Sequence, residues 1–409
     1  MKISASLVTL RTGVLTLLLS PALVGCGLLG DGESGGDAKG RLAVGAKGRS
    51  FTVAAAGDVL IHPELTAQAE QDGKAGGKGG MDFGPMMASV KPVISKADLA
   101  ICHVEPVLGK PEGPFQGYPD FIAPPQIATT LKDIGYDTCS TASNHALDHG
   151  EGGVKNTLDA LDKAGLKHTG SARSQQEGGA PLIMDVKGVK VAQISFAGAF
   201  NGREIPADKP WLVNKTSIEA ISAAEKAARA AGAEVVILSI RWGKEQQPAP
   251  NSNQLSLARK IAERTGINLV IGHRAHVVQP MEKVGDIWVA YGLGNQVARH
   301  EVPSGLSEEG VIGWFEFAEK NGRWDVRARY VPTFVELPPE VEAADPAVKV
   351  PDTGQVKDHR LLDLPTALKN GGALTPERRA RYQLAIDRTR GTLLNRGGAK
   401  DGLEPLTNR

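Results

Sequence analysis

The chain has 409 residues, in which 47 Lys and Arg balance 46 Asp and Glu, while aromatic residues make up only 5%. Charge parity removes the usual ground for gripping a polyanion by bulk electrostatics, and so few aromatics argue against a base-stacking platform, so no nucleic-acid partner is expected. Of three cysteines, one falls at position 26 in the leader region, and the two that remain are too few for a thiolate metal site, so any metal is expected to be held by His, Asp, Glu and Asn.

Residues 1–25 read as a signal peptide. Lys2 and Arg11 are the only charges there, and the apolar stretch over 14–24 is too short to span a bilayer, which takes ~20 apolar residues. It suits a secretory h-region. The stretch ends in Leu23-Val24-Gly25-Cys26, which resembles the bacterial lipoprotein box. That resemblance implies that Cys26 carries diacylglycerol and tethers the chain to membrane lipid, on the extracytoplasmic side of the cell membrane. Residues 26–50, rich in Gly, Ser, Asp and Lys, cannot bury enough apolar surface to order themselves and read as a flexible linker.

The body opens with a strand over 51–56 that runs into Gly57-Asp58, with His62 four residues beyond Asp58. A carboxylate at a strand's carboxyl end with a nearby His supplies oxygen and nitrogen ligands; a Gly-Asp turn with a surface His is the alternative. Residues 71–82 read as a loop, 85–96 as an amphipathic helix, and 98–102 as a strand ending in His103-Val104-Glu105. Alternation puts His103 and Glu105 on one face. In the Pro-rich loop over 106–125, Phe115, Tyr118 and Phe121 either wall a pocket or pack on the loop itself.

A third strand is expected over 132–141, leading into Ser143-Asn144-His145, with Asp148 close behind. Asn144 has two readings: cap of a helix beginning at His145, or oxygen ligand of a metal beside a His145 acid or base. Cys102 and Cys139 lie in apolar runs and are expected as buried free thiols, a disulfide being the alternative in an exported chain. Helices follow over 154–164, 218–231 and 254–264, and strands over 182–186, 190–196, 234–240, 268–271 and 287–291. The strand over 234–240 runs into Arg241-Trp242-Gly243, the next into Gly272-His273-Arg274-Ala275-His276, and the last into Gly292-Leu293-Gly294-Asn295. Residues 311–318 and 324–332 alternate as antiparallel strands. Strand ends followed at once by polar or metal-capable residues thus recur at Asp58, His103, Asn144, Arg241, His273 and Asn295. Together they point to one edge of an α/β assembly carrying a shared site.

Asp58, Glu105, Asn144-His145 and His273/His276, in that order, resemble the calcineurin-like metallophosphoesterase superfamily and, more closely, the CapA family of poly-γ-glutamate capsule synthesis. The motifs are GDVLIH, VEP (where the family has Asn-Leu-Glu), ASNHALDHG, RWGKE, GHRAHVVQP and YGLGN, within a domain over 51–335. The resemblance implies an α/β sandwich of two mixed sheets flanked by helices, and one or two divalent ions. A donor set of imidazoles and carboxylates suits zinc, manganese or iron. By position, Asp58 and His62 would hold the first metal with His276, Glu105 would bridge, His273 would serve the second metal, Asn144 would be a ligand and His145 the general acid.

Two residues depart from the family. Arg241 stands where a His is usual, and a guanidinium cannot ligate a metal, so the second ion is expected to be weak or absent. Arg241 then either grips an anionic substrate or marks a decayed centre. His103 stands where Asn is usual and is either a substitute ligand or structural. The implied function is capsule biosynthesis by a surface-tethered, metal-dependent hydrolase or transferase-like enzyme. It would act on an anionic cell-surface polymer, with capsule-synthase membrane proteins as partners. The alternative is a non-catalytic binding protein for polymer or synthase, with a general phosphoesterase as a more distant reading.

Residues 336–409 form an extension outside the resemblance. Thr375-Pro376-Glu377 starts a helix made basic by Arg378, Arg379, Arg381, Arg388 and Arg390. That face is expected to be solvated, or else a patch for anionic wall polymer or lipid headgroups.

Overall fold

In the computed structural model, residues 48–77, 79–300, 305–338 and 358–407 are described. The expected signal peptide, Cys26 and nearly all of the linker lie outside them.

The chain builds part of one sheet, then a second sheet, and then returns to finish the first. β1 (Ser50–Leu60), β2 (Leu99–Val104), β3 (Thr138–Ser140) and β4 (Lys167–Thr169) run parallel in the first sheet. Their crossovers carry α1 (Pro63–Ala75), α2 (Gln126–Asp133) and α3 (Gly150–Ala164). The second sheet is made of β5 (Leu182–Val186), β6 (Val189–Ala197), β7 (Val235–Arg241), β8 (Leu269–His273), β9 (Met281–Val284) and β10 (Ile287–Ala290), in the order β9-β10-β8-β7-β6-β5. Parallel β6, β7, β8 and β10 form its middle and antiparallel strands its edges. α4 (Ile218–Ala230) and α5 (Ser252–Arg264) are its crossover helices. β11 (Asn295–Ala298) then returns to lie parallel on β1, and β12 (Glu309–Lys320), β13 (Arg323–Glu336) and β14 (Arg360–Asp363) extend the first sheet antiparallel.

Side-chain alternation assembles these layers. Val53 and Ala55 of β1 face an inter-sheet core with Val235, Ile237, Leu269 and Ile271, whereas Ala54 and Ala56 face Leu65, Leu131 and Leu158 of the helices. On the far side of the second sheet, Val236 and Leu238 pack on Ile221, Ala228, Ala258 and Ile261. The architecture is therefore two mixed sheets face to face, flanked by helices.

Several expectations need correction. Residues 132–141 are not one strand: Ile127, Leu131 and Ile134 follow helical spacing, α2 ends at Asp133, and only Thr138–Ser140 pairs with β2. Gly135, at φ 111°, makes the turn between them. The expected 85–96 helix is broken into Gly84–Met87, a 3-10 turn Ala88–Val90 and Lys91–Ile94, the last with Pro92 in its first turn. The expected 71–82 loop loses its first residues to α1. Cys102 and Cys139 are not free thiols; they face each other in register on β2 and β3, with Cα atoms 4.4 Å apart, and form a disulfide. Asn144 caps no helix, since α3 begins only at Gly150.

The C-terminal segment completes the same compact unit, which spans Gly48–Arg409. α6 (Pro376–Leu394) starts at Thr375, whose hydroxyl accepts the Arg378 N–H. Its arginines divide: Arg379 and Arg390 are exposed, as a solvated face would have them, and the other three turn inward. Arg378 pairs with Glu336, and Arg381 is buried against Glu309 at 2.8 Å, with Arg388 beside the same carboxylate.

Candidate metal centre

Parallel strands bring their carboxyl ends to one edge, and register decides which residues meet there. In the first sheet Asn295, Asp58, His103 and Ser140 lie abreast on β11, β1, β2 and β3. In the second, Arg241 of β7 lies opposite His273 of β8. Gly57 lets the edge close: a Cβ there would sit 2.0 Å from the Gly294 carbonyl oxygen, and the Asp58 N–H donates to that oxygen at 3.0 Å.

Asp58 is fully buried and ties the two sheets together. Its Oδ1 lies 2.9 Å from His273 Nδ1, and its Oδ2 lies 3.2 Å from His276 Nδ1 and accepts the Arg274 N–H at 3.2 Å. Burial opposes ionisation, but His273 and His276 hold this carboxyl well below its ordinary range. His276, at φ 54°, also places Nδ1 3.0 Å from Asn295 Oδ1 and Nε2 3.7 Å from Glu105 Oε1. Burial works against its charge, yet Glu105 and Asp58 raise its pKa to about 9.

His103 sets Nδ1 against Ser140 Oγ at 2.8 Å, and its ring stacks on His273 with centroids 4.0 Å apart. Burial, with help from His273 and Arg241, holds the His103 pKa well below the ordinary imidazole value. Glu105 is pushed the other way, its pKa raised by burial.

The Nε2 atoms of His103 and His273, both carboxylate oxygens of Glu105 and the Asn144 Oδ1 are buried without a hydrogen-bond partner. Each orphaned polar atom costs ~1–3 kcal/mol. Every one of these atoms is a metal donor type, and three of their residues, His103, His273 and Glu105, group with Asp58. Two trios have ligand atoms within 4.8 Å of one another: Asp58, His103, His273 and Asp58, Glu105, His276. The residues fit a divalent cation.

The shared member is Asp58, where the sequence reading gave the bridging role to Glu105. His273 and His276 fall in different trios, and His103 joins His273. His62 belongs to neither trio. Its Nδ1 lies 3.0 Å from the Leu60 carbonyl, to which it donates, with the Arg299 backbone nitrogen 3.3 Å away, and His300 packs against both its ring and that of His276. Burial lowers the His62 pKa to about 4 and the His300 pKa to about 3.

Asn144 and His145 follow β3 in a turn. Asn144 Nδ2 donates to Asn201 Oδ1 at 3.1 Å. His145 Nδ1 lies 2.6 Å from Asp148 Oδ2, which also accepts the Phe121 N–H at 2.8 Å. This carboxylate fixes the ring and leaves Nε2 for proton transfer. Arg241 is 2% exposed at the end of β7. Its nearest carboxylate oxygen, Glu245 Oε1, is 3.6 Å away.

Sequence reasoning placed Asn295 at the shared edge but assigned no role to Asp148, Asn201 or His300. Asp148 was findable from its three-residue offset to His145. Neither Asn201 nor His300 sits in a motif that marks it.

The profile described as "Bacterial capsule synthesis protein PGA_cap" matches residues 52–300, which include every residue of this centre. The chain belongs to this family. Among relatives, it is 31% identical over 173 residues to the PGA biosynthesis protein CapA of Bacillus subtilis (strain 168), covering 41% of this chain and 44% of that protein. It is 27% identical over 170 residues to the capsule biosynthesis protein CapA of Bacillus anthracis, covering 41% of each. These matches thus span less than half the length of the curated relatives. Among solved structures, the calcineurin-like phosphoesterase YfkN of Bacillus subtilis aligns at 15% identity with a TM-score of 0.36, covering 69% of this chain and 90% of that one.

Proposed function

We propose that this PGA_cap protein is a metal-dependent hydrolase or transferase-like enzyme acting on an anionic cell-surface polymer, of which poly-γ-glutamate is the first candidate. One observation carries the reading: His103, Glu105 and His273, each with buried ligand atoms that lack a hydrogen-bond partner, cluster with Asp58 and His276 in two potential ligand trios. A fold that leaves so many donors unsatisfied in one place is built for a cation. Asp58, Glu105 and His276 would hold one ion, with Asp58, His103 and His273 as a second set. Such an ion supplies Lewis-acid polarisation and a more acidic bound water. His145, aligned by Asp148, gives a proton to the leaving group, while Asn144 orients the reacting oxygen.

The reading includes tethering through Cys26 and work beside capsule-synthase membrane proteins; its support is the Leu-Val-Gly-Cys run after the apolar stretch. Elemental analysis of protein purified without chelator should find at least one divalent metal per chain, lost in the Asp58→Ala, His276→Ala double variant. The same preparation should cleave or transfer γ-linked glutamate polymer. No stoichiometric metal, or polymer binding without turnover, would favour the non-catalytic binding protein.

A further inference from the structure

Two guanidinium groups at the centre have donors with nothing to bind. Arg241 Nε and Nη2 and Arg274 Nε are buried without hydrogen-bond partners. Arg241 is the more enclosed, and although burial lowers its pKa to about 10, it stays cationic at neutral pH. Arg274 is held in place by the centre itself: its backbone adopts φ 95°, a costly conformation for a residue with a Cβ, while its N–H donates to Asp58.

Both side chains share one weak counter-ion. Glu245 Oε1 is 3.6 Å from Arg241 Nη2 and 3.7 Å from Arg274 Nε, inside ion-pair range but beyond hydrogen-bond reach. The Glu245 side chain is 50% exposed, on a loop anchored by the Gln246 N–H to the Ala275 carbonyl at 2.8 Å. A buried guanidinium facing a carboxylate that does not quite reach it is a site awaiting a better-placed anion.

We propose that Arg241 and Arg274 form a carboxylate-binding subsite beside the Asp58 centre, with Glu245 as its displaceable resident counter-ion. The ligand is a carboxylate of the anionic polymer; this rests on the proposed function and names the residues that would select its substrate. Charge accounting favours a carboxylate over phosphate. Exchanging Glu245 for another monoanion leaves the local charge unchanged, whereas a phosphate dianion adds a negative charge next to Glu105 and Asp58.

The test is calorimetric titration of the full chain, as purified, with a γ-linked glutamate pentamer and separately with inorganic phosphate. Removing the competitor by Glu245→Gln should tighten pentamer binding about tenfold, and Arg274→Gln should weaken it about tenfold, the scale of one charge-assisted hydrogen bond. Arg241→Lys, which keeps the charge and loses the fork, should also weaken it. Glu245 and Arg274 are partly exposed, so thermal melts can confirm that those variants fold even if Arg241→Lys does not. An unchanged or weaker affinity in Glu245→Gln overturns the subsite, as does an unchanged affinity in Arg274→Gln; phosphate binding as tightly as the pentamer overturns the carboxylate assignment. Metal content is measured on the same samples. Protein without metal that still shows the Glu245 effect sinks the metal-dependent reading and leaves the subsite standing, and metal without that effect does the reverse.

Discussion

At the scale of single residues, His145 and His276 show how neighbours divide the work of two imidazoles. His145 has Asp148 on Nδ1 and lies in neither ligand trio. His145→Ala should therefore cut turnover by ~10²–10⁴-fold while metal content and melting temperature stay near the parent values. Loss of metal in that variant would make His145 a ligand instead. His276 sits between two carboxylates that raise its pKa to about 9. A raised imidazole stabilises the fold in full below its unfolded pKa and ceases to do so as pH rises through the folded value. Metal-stripped protein should thus lose stability from about pH 6.5 to 9, and His276→Gln should flatten that slope in thermal melts. Much of this set was legible in the sequence, because Asp58, Glu105, Asn144 and His273 each lie at or just past the carboxyl end of a strand. His62 also follows a strand; its Nδ1 lies against the Leu60 carbonyl, which leaves Nε2 as the only ring nitrogen it could offer, and side-chain direction past a strand end is not written in spacing.

At the scale of elements, α6 reaches the centre through a loop. Arg381 donates to the Gly305 carbonyl at 2.9 Å as well as to Glu309, and the Ser307 carbonyl in the same loop accepts from Asn295 Nδ2 at 2.8 Å. Asn295 is the residue whose Oδ1 meets His276. Arg381→Met should leave Glu309 buried with only the looser Arg388 contact and destabilise the fold by about 3–5 kcal/mol in denaturant titration. It should also weaken metal binding, which Arg390→Met, on the exposed side of the helix, should not. The start of α6 and its arginines could be read from sequence. Their neutralisation could not, since Glu309 lies 72 residues before Arg381. The third strand was misread for a related reason: a short apolar run reads alike as helix or strand, and contacts with β2 made the choice.

At the scale of the whole molecule, Asp58 belongs to the first sheet, while His273 ends a strand of the second and His276 lies just beyond it. The sequence showed that strands converge on one edge but not how they split into two sheets, because alternation says which side chains are buried and not which strands are neighbours. A cation held by Asp58 and His276 would fasten the sheets to each other. Adding metal to stripped protein should therefore raise the melting temperature steadily with the logarithm of free ion, by the equivalent of ~2.7 kcal/mol at a hundredfold excess over Kd. The Asp58→Ala, His276→Ala double variant should show no such rise. The same layout sets an order of events in time. Asp58 and His273 are 215 residues apart, and β1 finds its partners β11 and β12 only after the entire second sheet has been made. Contacts of such long range close slowly. A chain stopped short of His273 would have β1, β2 and β3 but would lack one member of each ligand trio, so a cation would find a complete set only once the second sheet is in place.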